Sequence, residues 1–310
     1  MAGLSCTNLL SMRDLDRQDI NLILDTAETF AEVNARTIKK LPTLRGRTIV
    51  NMFMENSTRT RSSFELAQKR LSADSLNFSA ASSSTQKGES LQDTAQTLSA
   101  MHCDLVVIRH RYAGSPYLIS QNMQAKVINA GDGKHEHPTQ ALLDLMAIRR
   151  HFGHFDGLKC AIVGDIAHSR VVGSLGYALH YLGAEVIFVA PQTLLPARPD
   201  LLGADRVTSD LDSLLPELDV CYMLRIQQER IESSPFPSLR EYAMLYGIDR
   251  RRLALLDQAA VIMHPGPVNR GVELSSEAVD NARNLLLEQV ADGVCVRMAL
   301  MYLMLGEVGD

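Results

Sequence analysis

Five consecutive residues, Ser57-Thr58-Arg59-Thr60-Arg61, set three hydroxyls and two guanidinium groups side by side. An apolar run from Thr48 to Met54 precedes them and reads as a short buried strand. Phe64, Ala67 and Leu71 follow at helical spacing, so the polar group is expected to form the turn between strand and helix, with the helix running from about Ser62. That geometry aims unsatisfied backbone N–H groups and the positive end of the helix dipole at one point. With the hydroxyls of Ser57, Thr58 and Thr60 and the guanidinium of Arg59, it makes a cradle for an anion, most naturally a phosphate. The competing assignment, an ordinary helix cap with surface arginines, leaves four successive donor side chains without a task.

Other cations stand at comparable places. Arg109-His110-Arg111 ends the apolar, β-branched run Leu105 to Ile108, at the edge where α/β sheets bind ligands. Arg225-Ile226-Gln227 ends a second such run, Val220 to Leu224, and Arg170 starts a helix after Gly164-Asp165. Lys87 tips a low-complexity stretch, Ser79 to Gly88, which is either a flexible linker or a second phosphate-binding loop. His137-Pro138-Thr139-Gln140 opens a long helix, with proline in the first turn. A histidine there has its cationic form disfavoured by the dipole, so it is either a neutral donor or a cap with no chemical task.

The 310 residues allow two domains of ordinary size. A hydrophobic content of 46% with 22% charged residues marks a globular protein, and a net charge of -5 argues against general nucleic-acid binding. Any site for anionic substrates must therefore gather its positive charge locally. Five scattered cysteines, none in C-x-x-C spacing, fit a reducing cytoplasm with neither a disulfide framework nor a zinc site. No segment approaches a transmembrane span, so a cytoplasmic protein off the membrane is expected.

Strands and helices alternate along the chain, which predicts parallel sheets. Asp16 is placed to cap a first helix striped by Ile20, Ile23, Ala27 and Phe30. Further strands are expected at 74–78, 126–129, 158–163, 186–189 and 260–263, and the last meets the rigid turn His264-Pro265-Gly266-Pro267. The charged, proline-containing stretch from Arg225 to Arg252 reads as a mobile loop beside the site. A terminal helix carries Leu287, Val290, Val294, Met298, Met301 and Leu305 on one stripe. The turn after Val163 lacks the later glycines of G-x-G-x-x-G, which speaks against a nicotinamide cofactor.

Together these pieces resemble the aspartate/ornithine carbamoyltransferase family over essentially the whole chain. The most specific elements are Phe53 through Arg61, Lys87-Gly88-Glu89-Ser90, His137-Pro138-Thr139-Gln140, the Arg225-x-Gln227 pair and His264-Pro265-Gly266-Pro267. The second half is similar to the aspartate branch, since the Ser-Met-Gly loop and His-Cys-Leu-Pro turn expected of the ornithine branch are missing.

The resemblance implies two parallel-sheet α/β domains joined by long helices. A carbamoyl phosphate-binding domain is expected at 1–136 plus 287–310, and an aspartate-binding domain at 137–286. The reaction implied is carbamoyl transfer from carbamoyl phosphate to the amine of L-aspartate, in pyrimidine biosynthesis, with neither cofactor nor metal. Ser57, Thr58, Arg59, Thr60 and Arg109 would hold the phosphate, and Thr60, Arg109 and His137 the carbamoyl oxygen. Gln140 and the carbonyls near Pro265 and Pro267, with Gly266 between them, would hold the carbamoyl amide, Arg170 the α-carboxylate, and Arg225 with Gln227 the β-carboxylate. Ser83 and Lys87 would reach a neighbour's active site, implying a homotrimer with shared sites; a regulatory chain or a dihydroorotase-like enzyme is the expected kind of further partner. Some family members have leucine where Gly266 stands, so allosteric behaviour does not carry over. The competing functions are carbamoyl transfer to another amine such as ornithine, opposed by the cation at Arg225, and a non-catalytic scaffold of the same fold, opposed by the complete set of cations.

Overall fold

A computed structural model describes residues 3–79, 90–226 and 238–306; Ser83, Lys87 and Gln227 lie outside the described residues. The chain divides into two compact units, Met1–Leu143 with Ala291–Asp310, and Asp144–Val290.

In the first unit, α1 (Arg17–Ala35) starts where Asp16 accepts from the Asp19 N–H and the Asp19 side chain reaches back to the Asp16 N–H. Ile20, Ile23, Ala27 and Phe30 are buried, as their spacing predicts. There follow β1 (Thr48–Phe53), α2 (Thr58–Arg70), β2 (Asp74–Ser79), α3 (Leu91–Ala100), β3 (Leu105–His110), α4 (Ser115–Gln121) and β4 (Lys126–Asp132). The strands form one parallel sheet in the order β2-β1-β3-β4. The chain leaves β1 toward β2 on one side and returns to β3 on the other, so the order of strands reverses between β1 and β3. Crevices at such a reversal, outside the carboxyl ends of the strands, are where open α/β sheets bind ligands.

Val50, Met52, Val106, Ile108 and Val127 pack with Ala95 and Leu98 of α3 and Ile119 of α4. A polar pair is buried as well: Asn51 on β1 and Gln68 on α2 exchange amide hydrogen bonds of 2.9 and 2.8 Å. Stranding either amide would leave its partner unsatisfied, at a cost of about 1–3 kcal/mol, so the pair fixes how α2 lies on β1.

The second unit holds β5 (Lys159–Val163), α6 (Arg170–Tyr181), β6 (Glu185–Val189), β7 (Arg206–Thr208), β8 (Val220–Met223), α7 (Leu239–Tyr246), α8 (Arg250–Leu255), β9 (Val261–Met263) and α9 (Ser276–Val279). Its parallel sheet runs β7-β6-β5-β8-β9, with the reversal between β5 and β8. The boundary between the units falls inside two long helices, Pro138–Phe152 and Leu286–Leu305.

Three expectations need correction. The first turn of α2 begins at Thr58, so Thr58 to Thr60 are helical residues rather than part of a preceding turn. Ser57 is extended (φ -158, ψ 99) and serves as N-cap, and nothing in Thr-Arg-Thr forbids helix. The stretch before Arg252 is not one long loop: α7 and α8 occupy most of 239–255, each opened by a capping side chain, Ser238 and Asp249. On the terminal helix, Leu287 and Val290 are 80% and 50% exposed, whereas Gln289 is buried and donates to Asp144 at 2.7 Å. No described helix is long and apolar enough to cross a membrane.

Candidate active site

Each unit sets arginines on both sides of its strand reversal. In the first, the end of β1 delivers Ser57 to Thr60, and the end of the neighbouring β3 delivers Arg109. Phe53 and Arg109 are level in the register, and the Met54 N–H donates to the Arg109 carbonyl at 2.9 Å. Adjacent strands lie about 5 Å apart, so cradle and arginine are held as neighbours by the sheet itself. The Arg109 side chain, 13% exposed, donates from Nη2 to Glu55 Oε1 at 3.2 Å and from Nη1 to the Ala130 carbonyl at 3.5 Å. The Glu55 contact turns one edge of the guanidinium toward β1.

The Ser57 hydroxyl makes no cap hydrogen bond, and the first turn of α2 carries no acidic residue. Thr60 is buried while Thr58 and Arg59 are exposed. An anion at this helix start meets N–H groups and hydroxyls, and the first turn itself sets no carboxylate against it.

His137 and Gln140 come from the next strand. β4 ends at Asp132, and the turn to His137 is folded around that carboxyl group, which accepts from Asn129 Nδ2 at 2.9 Å and the Gly114 N–H at 2.8 Å. His135 Nδ1 lies 3.1 Å from it. Burial works to raise the Asp132 pKa, but the bonds from His135, Asn129 and Gly114 outweigh it and hold the group below its ordinary value. The same bond raises the pKa of His135 against its partial burial. The His137 carbonyl accepts from the N–H groups of Gln140 and Ala141 at 2.9 and 3.2 Å, which starts α5 (Pro138–Phe152) with His137 buried at its mouth.

In the second unit Arg170 begins α6 after β5, and Arg225 follows the neighbouring β8. Arg170 is buried and Arg225 partly so. Between β5 and α6, His168 Nδ1 lies 2.7 Å from Asp165 Oδ1 and closes the turn. Gly164 stands at φ +124, and a Cβ there would lie 2.8 Å from the Tyr242 hydroxyl and 3.3 Å from Leu224. We expect Gly164→Ala to destabilise the protein by about 1–3 kcal/mol through backbone strain and this clash. A urea midpoint equal to that of the unmodified chain would refute this account.

Glu273, fully buried, organises the loops around Arg225. Its Oε1 accepts from the Ile226 N–H at 2.9 Å and from Asn269 Nδ2 at 2.8 Å, and its Oε2 from the Asn269 N–H at 2.7 Å. Burial raises its pKa, only partly offset by those bonds. One carboxyl group thus ties the residue after Arg225 to the segment after Pro267. Gly266 in that turn stands at φ +60, its N–H donating to His264 Nδ1 at 2.8 Å, and the Gly266–Pro267 peptide is cis. The His264 N–H in turn donates to Gln289 Oε1, while Tyr222 and Gln289 both donate to Asp144 at 2.7 Å.

Of the residues singled out from the sequence, the first unit brings together Ser57 to Thr60, Arg109, His137 and Gln140 along the carboxyl ends of β1, β3 and β4. The second brings Arg170, Arg225, Gly266 and Pro267 to the carboxyl ends of β5, β8 and β9. Sequence reasoning missed the acids that hold them, Glu55, Asp132 and Glu273. Among the described residues, no group of three or more His, Cys, Asp or Glu is placed to hold a metal ion.

Known proteins match the chain over nearly its whole length. Two family descriptions match the chain: aspartate/ornithine carbamoyltransferase, carbamoyl-P binding domain, over residues 7–150, and the Asp/Orn binding domain of the same family over residues 156–304. The aspartate carbamoyltransferase catalytic subunit of Acidothermus cellulolyticus is 58% identical over 299 residues, 96% of this chain and 92% of that one. Its namesake from Thermobifida fusca is 56% identical over 96% of this chain and 95% of its own. Aspartate transcarbamoylase of Trypanosoma cruzi, solved with carbamoyl phosphate and aspartate, superposes with a TM-score of 0.88 at 33% identity, covering 96% of this chain and 97% of that chain. Both halves of the chain match this family's domains and relatives at 56–58% identity span nearly all of it: the chain belongs to the aspartate/ornithine carbamoyltransferase family.

Proposed function

We propose that the chain transfers the carbamoyl group of carbamoyl phosphate to the α-amine of L-aspartate, releasing N-carbamoyl-L-aspartate and phosphate. The observation that carries this reading is the pair of strand reversals, each flanked by cations. One unit offers an uncapped helix start and Arg109 to a phosphate; the other offers Arg170 and Arg225 to the two carboxylates of a dicarboxylic acid.

In this reading Ser57, Thr58, Arg59, Thr60 and Arg109 hold the phosphate. Thr60, Arg109 and His137 donate to the carbamoyl oxygen, stabilising the charge that grows there as the amine attacks. Gln140 and the carbonyls near Pro265 and Pro267 take the carbamoyl amide. Arg170 binds the α-carboxylate, and Arg225 with Gln227 the β-carboxylate. The amine–carbon bond forms as the carbon–oxygen bond to phosphate breaks, and a phosphate oxygen accepts the amine proton. Positioning and electrostatics supply the catalysis without a covalent intermediate. The wider reading makes the protein a cytoplasmic enzyme of pyrimidine synthesis and a homotrimer. In it, Ser83 and Lys87 serve a neighbour's site, and a regulatory chain or a dihydroorotase-like enzyme is the kind of further partner.

The test is an assay of purified protein with carbamoyl phosphate and, in parallel, aspartate or ornithine, alongside sizing by light scattering. Carbamoyl aspartate should form, ornithine should remain unmodified, and the mass should be that of three chains. Carbamoylation of ornithine at a comparable rate would overturn the assignment of Arg225 to a carboxylate; a monomeric mass would overturn the shared sites.

A further inference from the structure

The turn that carries His137 is gripped from a distant part of the chain. Asn8 to Met12 lies along β4 like an added strand: the Leu9 N–H donates to the Val127 carbonyl at 2.9 Å, and the Asn129 N–H returns a bond to the Leu9 carbonyl at 2.8 Å. Asn8 Oδ1 accepts from the Val127 N–H, and Asn129 Nδ2 donates to the Leu10 carbonyl, both at 2.8 Å. The segment then turns at Ser11, where Asp14 Oδ2 accepts from the Leu10 and Ser11 N–H groups, each at 2.8 Å.

From that anchored turn two donors point at Glu136, the residue before His137. The Met12 N–H donates to Glu136 Oε2 at 2.9 Å and the Ser11 hydroxyl donates to Oε1, while the same hydroxyl accepts from the Arg13 N–H at 3.0 Å. The backbone of Glu136 is fixed as well. Its N–H donates to Asp132 Oδ1 at 3.2 Å, and its carbonyl accepts from the Asp132 N–H at 3.1 Å. Every polar group of Glu136 is thereby engaged, and the residue is 3% exposed. A turn with one end gripped in this way and the other continuing into α5 leaves the Cα–Cβ direction of His137 little freedom.

We propose that Glu136 is a positioning residue for catalysis, which, through Ser11 and Met12, uses the amino-terminal segment to hold His137 in its donor geometry. The inference rests on the role given to His137 above. Misplacing a transition-state donor by about 1 Å can cost on the order of 10²-fold in rate, so a small relaxation of this turn is expected to appear in kcat. KM for aspartate should hardly move, because the residues assigned to its carboxylates belong to the second unit.

The experiment is a cycle of Glu136→Gln, His137→Ala and the double variant in the full chain, with kcat, both KM values and the thermal midpoint measured for each. The amide of glutamine can accept one of the two donated bonds and sets an NH2 group against the other donor. Glu136→Gln should lower kcat about 10-fold and leave KM for aspartate within about twofold. In the His137→Ala background the same change should lower kcat less than about twofold, because the group through which it acts is gone. Ser11→Ala, a milder lesion, should show a smaller loss with the same dependence on His137, and Ser11→Thr should restore it; this pair decides the matter if Glu136→Gln does not fold. Full activity in His137→Ala would overturn the role of His137 itself. A slowed His137→Ala with independent, multiplicative losses in the double variant would overturn the positioning role of Glu136 alone. So would wild-type kcat in both Glu136→Gln and Ser11→Ala.

Discussion

Arg59→Ala should lower turnover by about 30- to 1000-fold while the protein keeps its fold, the cost of a charge-assisted contact to phosphate of about 2–4 kcal/mol. Arg59 is the second residue of α2, between Thr58 and the buried Thr60, and its own side chain is exposed. Truncating it therefore removes no core packing, and alanine is at least as good a helix former. The orientation of α2 has anchors of its own: Asn51 and Gln68 fix the helix on β1, and Arg297 of the terminal helix donates to Ser63 at 2.8 Å and lies over the Phe64 ring. The variant should show an unchanged circular dichroism spectrum and melting temperature, with weakened binding of carbamoyl phosphate by calorimetry. Turnover at the unmodified level in a folded variant would remove Arg59 from the cradle.

What the sequence makes legible here is what local chemistry encodes. Apolar, β-branched runs mark β1, β3, β5, β6, β8 and β9, because strands buried on both faces of a parallel sheet are apolar throughout. The cations that follow those runs stand at the carboxyl ends of strands, as α/β topology requires. The three-residue β7, Arg206–Thr208, escaped: it is an edge strand whose first two side chains are exposed, so it carries no apolar signature. So did α4, Ser115–Gln121, too short for a helical period to be read, and α7, which follows a stretch rich in charge and proline. Leu287 and Val290 fit the stripe by spacing, yet periodicity reports which residues share a face and not how far along a helix that face is covered.

The acids that hold the site were beyond sequence reasoning for a different reason. Glu55 meets Arg109 across 54 positions, Asp132 meets Gly114 across 18, and Glu273 meets Ile226 across 47. Pairings at such separations leave no periodicity to read, even where the acid, like Glu55, stands inside a motif. Only the folded chain, in its strands and in the loops between them, brings them to their partners.

Glu273 bears directly on the second large effect expected, that of Arg225→Ala on the use of aspartate. The backbone on either side of Arg225 is pinned: the Leu224 N–H donates to the Val163 carbonyl at 2.8 Å, and the Ile226 N–H donates to Glu273 Oε1 at 2.9 Å. A guanidinium presented from so fixed a base loses little entropy on binding a carboxylate, and its planar fork matches the two oxygens. Its removal should therefore reduce kcat/KM for aspartate by about 10²-fold or more. The phosphate cradle belongs to the first unit, so carbamoyl phosphate should bind the variant with unchanged affinity. Arg225→Lys should recover only part of the loss, since lysine restores the charge without the two-pronged geometry. Kinetics with aspartate varied and calorimetry with carbamoyl phosphate alone separate the possibilities. Comparable losses for both substrates would mean that Arg225 supports the fold or the cradle rather than the dicarboxylate. Full recovery by lysine would mean that charge alone, without the bidentate fork, is what the site requires there.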